Sequence, residues 1–219
     1  MHRIHYRFGL VLGLILVAIS FAMAAPEGDG ARFVAVTLQA LVLVAASIAS
    51  RVHRGIILLC VAAAVLGIAG AAAAIFGSGQ LGDSSAAIIS LLYVAVTPPA
   101  IATGVIKQFR QEDGVTLETM FGVLCLYLLI GLLFGVAYAT VSELSTADFF
   151  TTGHAERDDF LYFSYSTLST VGYGDLTAAT NLGRSLAMTE ALLGQLYLVT
   201  VVAVIVSNLR PARRSQRAE

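Results

Sequence analysis

The sequence predicts an all-α membrane protein: six transmembrane helices, with a re-entrant half-length helix and a glycine-rich loop between the last two. Three observations predict it. Of 219 residues, 58% are hydrophobic and 12% charged, with a mean hydropathy of +0.83, whereas a soluble domain is roughly half apolar and a quarter charged. The apolar excess falls in blocks close to the ~20 residues a helix needs to cross the hydrocarbon core. Lys and Arg are distributed one-sidedly between those blocks.

The blocks are residues 8–24, 33–50, 55–76, 86–106, 120–139 and 186–209. The first follows Arg3 and Arg7 and ends in Ala22-Met23-Ala24, a pattern shared with secretory signal peptides; it is read here as a retained helix. Pro98-Pro99 predict a kink in the fourth span. Cys60 and Cys125 both fall inside spans and read as buried free thiols, with no disulfide framework or metal-ligand spacing. His2, His5, His53 and His154 sit in terminal or loop positions and read as solvated.

Orientation follows from the basic residues. Arg3, Arg7, Arg51, Arg54, Lys107, Arg110, Arg210, Arg213, Arg214 and Arg217 occupy one side; the other holds only Arg32, Arg157 and Arg184 and collects most of the acids. By the positive-inside rule both termini are cytoplasmic and the connection between the last two spans is external. The organisation is then a four-helix region, 1–106; a cytoplasmic linker, 107–119; a hairpin of two spans and their connection, 120–209; and a basic tail, 210–219, placed to meet anionic headgroups.

The external connection carries the chemistry. Asp158-Asp159 open an aromatic-rich stretch, where two acids suit the positive end of a helix dipole. About twelve helical residues rise ~18 Å, half a bilayer. Glycines follow at once, and irregular backbone at that depth is tolerated only when buried in protein or lining water. The next residues are Thr170-Val171-Gly172-Tyr173-Gly174-Asp175. A cation that leaves water needs oxygens to replace its hydration shell, and backbone carbonyls aimed at one axis supply them. Such aim requires alternating ordinary and left-handed backbone, which glycine at alternating positions makes cheap. Thr170 adds a hydroxyl at the inner end, and Val171 and Tyr173 point outward as braces. One strand does not encircle an ion, so several copies must converge.

The pentapeptide Thr170 to Gly174 matches the filter sequence of potassium channels, and from Met120 onward the chain resembles tetrameric potassium channels, most closely the voltage-gated branch. Gly183-Arg184 stands where that branch has Gly-Lys, Gly194 falls on its inner-helix hinge glycine, and Val204-Ile205-Val206-Ser207-Asn208 nearly repeats its inner-helix ending. The resemblance implies a homotetramer in the plasma (cell inner) membrane that passes K+ passively, with no enzymatic chemistry, no nucleic-acid partner and no cofactor beyond filter K+. It places K+ at Thr170, Val171, Gly172 and Tyr173 and a gating hinge at Gly194. Leu198, Val202 and Val206 line the inner cavity, and Ser166, Asp175 and Glu190 support the filter.

There are departures from the family pattern. Tyr162-Phe163 replace a Trp-Trp pair, Ser166 stands where some bacterial relatives carry a glutamate, and Val201-Val202-Ala203 replace a Pro-Val-Pro bend. Thr177 stands where relatives with an aromatic ring bind external tetraethylammonium. The fourth span has no internal arginines; Lys107 and Arg110 lie at its end. Voltage sensing needs several charges inside the field, so the chain is not expected to be voltage-gated.

Two rival readings remain. Gly172-Tyr173-Gly174-Asp175 also satisfies the Gly-x-Gly-Asp pattern of intramembrane aspartyl proteases, but their shared proton needs a second carboxylate, and Asp29, Asp83, Asp113, Asp148, Asp158 and Asp159 lie in loops or edges. An auxiliary subunit or carrier is the other, and the intact filter argues against it. Glu190 is the acid inside a span, a functional position by default; Ser166 or Thr167 is its expected partner behind the filter, with water at the external mouth as the alternative. Tyr197 reads as packing.

Overall fold

A computed structural model describes residues 7–25, 28–50, 54–76, 83–111 and 116–208. They form seven helices: α1 (Arg7–Ala24), α2 (Asp29–Ala49), α3 (Arg54–Phe76), α4 (Asp83–Gln111), α5 (Leu117–Leu144), α6 (Arg157–Leu168) and α7 (Asn181–Asn208). Strand pairing among the described residues is limited to isolated bridges at Phe150. The basic tail 210–219, His2, His5, His53, Asp113 and the side chain of Val206 lie outside the described residues.

Among the described residues, four stretches are long and apolar enough to cross a membrane: Arg7–Ala24, Ser90–Lys107, Leu117–Leu144 and Asn181–Ile205. Among the described residues, α2 and α3 contribute the shorter apolar stretches Phe33–Ala49 and Cys60–Ala69. Helix α4 continues through Pro98-Pro99 to Gln111, beyond the expected end at 106. Residues 107–111 and 117–119 of the expected linker are thus helical, and α4 packs back along α5 of the same chain.

Helix α5 is the hub, packing against α1, α4, α6 and α7. Thr116 caps it by accepting from the backbone N–H of Thr119 at 3.3 Å. Helix α1 obtains its cap across the chain: the Glu118 carboxylate accepts from the backbone N–H groups of Arg7 (2.6 Å) and Phe8 (3.0 Å). Free N–H groups at a helix start carry partial positive charge, so a carboxylate satisfies both the bonds and the dipole. Phe8, Val11, Ile15 and Ala18 recur at helical spacing and bury one face of α1 in a core with Cys125, Leu129 and Leu132 of α5 and Leu161 of α6. Between apolar helices in lipid, close packing rather than water exclusion holds such a seam. Cys60 and Cys125 are buried free thiols.

A second core sits beneath the α5–α6 connection. Phe149 and Phe150 fold back onto Tyr138, Phe160 and Phe163. Ring centroids lie 4.9 Å apart for Phe149–Phe150 and 5.2 Å for both Tyr138–Phe163 and Phe150–Phe163, and Phe163 meets Tyr138, Phe149 and Phe150 edge-on, the arrangement aromatic quadrupoles favour. This cluster anchors the start of α6, and through it the loop that follows.

Candidate functional site

Helix α6 has twelve residues, too few to cross a ~30 Å hydrocarbon core. Its start is a capping box: the Glu156 side chain accepts from the Asp159 backbone, and the Asp159 carboxylate accepts from Glu156 N–H at 2.9 Å. Of the two expected acids, Asp159 makes the reciprocal bond.

The loop after α6 alternates in hand. Thr170 (φ 59°), Gly172 (φ 54°) and Gly174 (φ 82°) have left-handed backbone, with Val171 and Tyr173 between them. Nothing lies within 4 Å of where a Cβ would stand on Gly172 or Gly174. Glycine is required there by conformation, not by space. The loop's inner end folds onto α6: Thr170 N–H donates to Thr167 O at 3.0 Å, and Val171 and Gly172 N–H both donate to Ser166 O at 3.0 and 3.2 Å. Ser166 thus supports the loop through its backbone carbonyl.

The outer end is held by side chains. The Tyr162 hydroxyl donates to Asp175 Oδ2 at 2.7 Å, and the Tyr162 ring stacks on Tyr173 with centroids 6.1 Å apart and planes 9° from parallel. That hydrogen bond holds the Asp175 carboxyl below the ordinary carboxylate range and pushes the Tyr162 phenol up to about 12. Beyond Asp175 the chain is pinned to the α5–α6 connection. Thr151 N–H donates to Thr177 O at 2.9 Å and Ala179 N–H to Phe149 O at 2.8 Å, while the hydroxyls of Thr151 and Thr177 meet at 2.7 Å. Arg184 Nε donates to Ala178 O at 3.0 Å.

Behind the loop, α7 passes close to the end of α6. A Cβ on Gly194 would stand 2.7 Å from Leu168 O and Cδ1, and the Tyr127 hydroxyl donates to the same carbonyl at 3.2 Å. Helix α7 runs unbroken through Gly194. Tyr197 packs on Tyr127 with centroids 5.8 Å apart and donates its hydroxyl proton to Val123 O. Glu190 is fully buried and faces neither Ser166, Thr167 nor water: Tyr138 Oη lies 2.5 Å from its Oε2 and Ser164 Oγ 2.5 Å from its Oε1. On α7, Leu198 and Val202 are exposed in the single chain.

The structure therefore gathers Thr170–Asp175, Ser166, Glu190 and Gly194 around one short loop. Tyr138, Tyr162, Ser164, Phe149 and Thr151 join them as supports the sequence reading did not assign. A hydroxyl on an aromatic ring inside or beside an apolar span was the available signal for the two tyrosines; for the others, nothing local marked them.

Residues 123–210 match the family model described as an ion channel. The matched region runs from α5 through α6 and the loop to just past α7, so fold, site and match together support an ion-channel domain in a membrane protein. Comparison with curated proteins and with solved structures gives no significant match.

Proposed function

We propose that this chain is one subunit of a potassium-selective channel in which four copies place Thr170 to Gly174 around a common axis. The observation that carries the reading is the alternation of left-handed backbone at Thr170, Gly172 and Gly174 in a threonine-valine-glycine-tyrosine-glycine sequence, the arrangement that aims carbonyls at dehydrated K+. K+ then sits among the carbonyls of Thr170, Val171, Gly172 and Tyr173. Assembly is supported by what one chain leaves uncovered: Val171 is 52% and Tyr173 71% exposed, and α7 presents Leu192, Leu196 and Val199 to the outside. An apolar face on a helix of membrane length needs lipid or a second copy against it.

In this proposal α1 to α5 and α7 span the plasma membrane and α6 is re-entrant. Both termini are cytoplasmic by the bias of basic residues, and Leu198, Val202 and Val206 face the inner cavity. Conduction is passive. The span in α4 lacks internal arginines, so opening is not driven by voltage in the manner of voltage-gated channels. Currents from purified protein in planar bilayers test this: the reversal potential should follow the K+ gradient and ignore Na+, with shallow voltage dependence. Equal Na+ and K+ permeation would refute selectivity, and a steep sigmoid abolished by neutralising Lys107 would refute the gating statement.

A further inference from the structure

Glu190, Tyr138 and Ser164 tie three helices together behind the loop, and their oxygens can be counted against their protons. Glu190 Oε2 meets Tyr138 Oη at 2.5 Å, and Glu190 Oε1 meets Ser164 Oγ at 2.5 Å. Ser164 Oγ also meets the backbone carbonyl of Gly131 at 2.6 Å. Each of these oxygen pairs needs a proton between its members, because two lone pairs at such distances repel. A phenol and a serine hydroxyl each supply one donor proton. A peptide carbonyl supplies none. Three contacts and two protons leave one contact empty if Glu190 is ionised.

We propose that Glu190 is a neutral carboxylic acid at neutral pH, donating its proton from Oε1 to Ser164 Oγ, which passes a hydrogen bond on to Gly131 O, while Oε2 accepts from Tyr138. Every contact then holds a proton, and the relay joins α7 to α6 and α6 to α5. The surroundings agree. Glu190 and Ser164 are fully buried, as is Tyr138. The groups that act on the carboxyl are Tyr138 and Ser164, the further titratable groups facing it are Tyr127 of α5 and Tyr165 of α6, and none of these is a cation. A buried carboxylate without a cation is strongly disfavoured, and the usual resolution is to take up a proton. Glu190 acts as a positioning residue: it sets the distance between α7 and α6 one helical turn from the Gly194–Leu168 contact. Its bearing on conduction rests on the channel reading, whereas its protonation does not.

Infrared spectra of the purified protein in lipid bilayers at neutral pH test the inference. The wild type should show the carbonyl stretch of a protonated carboxyl group, lost in Glu190→Gln. In Ser164→Ala, where the acid loses its acceptor, that band should shift to higher frequency; this shift also assigns the band if Glu190→Gln does not assemble. A wild-type spectrum with carboxylate bands alone would overturn the proposal, and so would a band unmoved in Ser164→Ala. Bilayers that are silent while the band is present would reject the channel reading and leave the inference standing.

Discussion

Replacing Gly194 by alanine adds one methyl group where α7 crosses the end of α6. The new Cβ would stand 2.7 Å from Leu168 O and 2.7 Å from Leu168 Cδ1, whereas heavy atoms pack comfortably at about 3.5 Å or more. The leucine methyl can rotate away. The carbonyl cannot, since it belongs to the last residue of α6 and accepts from Tyr127 Oη. Helix α7 must therefore retreat by about 0.8 Å, the difference between those separations. Overpacking of this kind costs about 1–3 kcal/mol, and a collision with backbone belongs near the upper end. Alanine's higher helix propensity offsets about 1 kcal/mol. The net loss is about 2 kcal/mol per subunit, equivalent to a melting temperature lower by roughly 4–8 °C for a chain of this size. Thermal unfolding of the purified variant in detergent reads this directly, and single-channel conductance should fall with it, because Leu168 lies two residues before Thr170. The competing reading of Gly194 as a bending point makes the opposite stability prediction, since alanine stiffens a helix that already runs unbroken. An unchanged or higher melting temperature would refute the close-approach argument.

Gly172→Ala meets no neighbour but must hold a Cβ residue at φ 54°, at about 1–2 kcal/mol; the protein should still assemble, melt roughly 2–8 °C lower and lose K+ current, and normal currents would count against the filter assignment. Asp175 has a depressed folded value, so its bond from Tyr162 is intact above the ordinary carboxylate range and fails only as external pH falls through that lowered value. Tyr162→Phe should raise the pH at which acid reduces conductance, and identical acid titrations of the two proteins would exclude this brace. Thr177→Tyr breaks the hydroxyl contact with Thr151 and puts a ring at the outer mouth, so block by external tetraethylammonium should strengthen through cation–π attraction; unchanged block would show that this position does not face the entrance.

What could be read from the sequence alone is what depends on neighbours along the chain. Span lengths, the half-length α6 and the glycine-spaced loop follow from apolar runs, from acids at a helix start and from the φ values that only glycine adopts cheaply. The left-handed turns at Gly172 and Gly174 are of this kind. Thr170 at φ 59° is not, since a β-branched residue resists that conformation and holds it here within a loop bonded back to Ser166 and Thr167. The pairings across the fold were decided by tertiary structure. Ser164 and Ser166 are two residues apart, about 200° around a helix, so choosing the partner of Glu190 required knowing which face of α6 meets α7. The sequence offered both hydroxyls. Only the packed helices put Ser164 against Glu190 and left Ser166 to serve through its carbonyl. Tyr162 and Asp175, thirteen residues apart, and Phe149 and Ala179, thirty apart, meet because the chain reverses between them, and a reversal's direction is set by what it packs against rather than by the residues that make it. The cap on α1 is the extreme case: Glu118 reaches Arg7 across 111 residues because α1 and α5 share a core, and no property of either segment by itself announces the other.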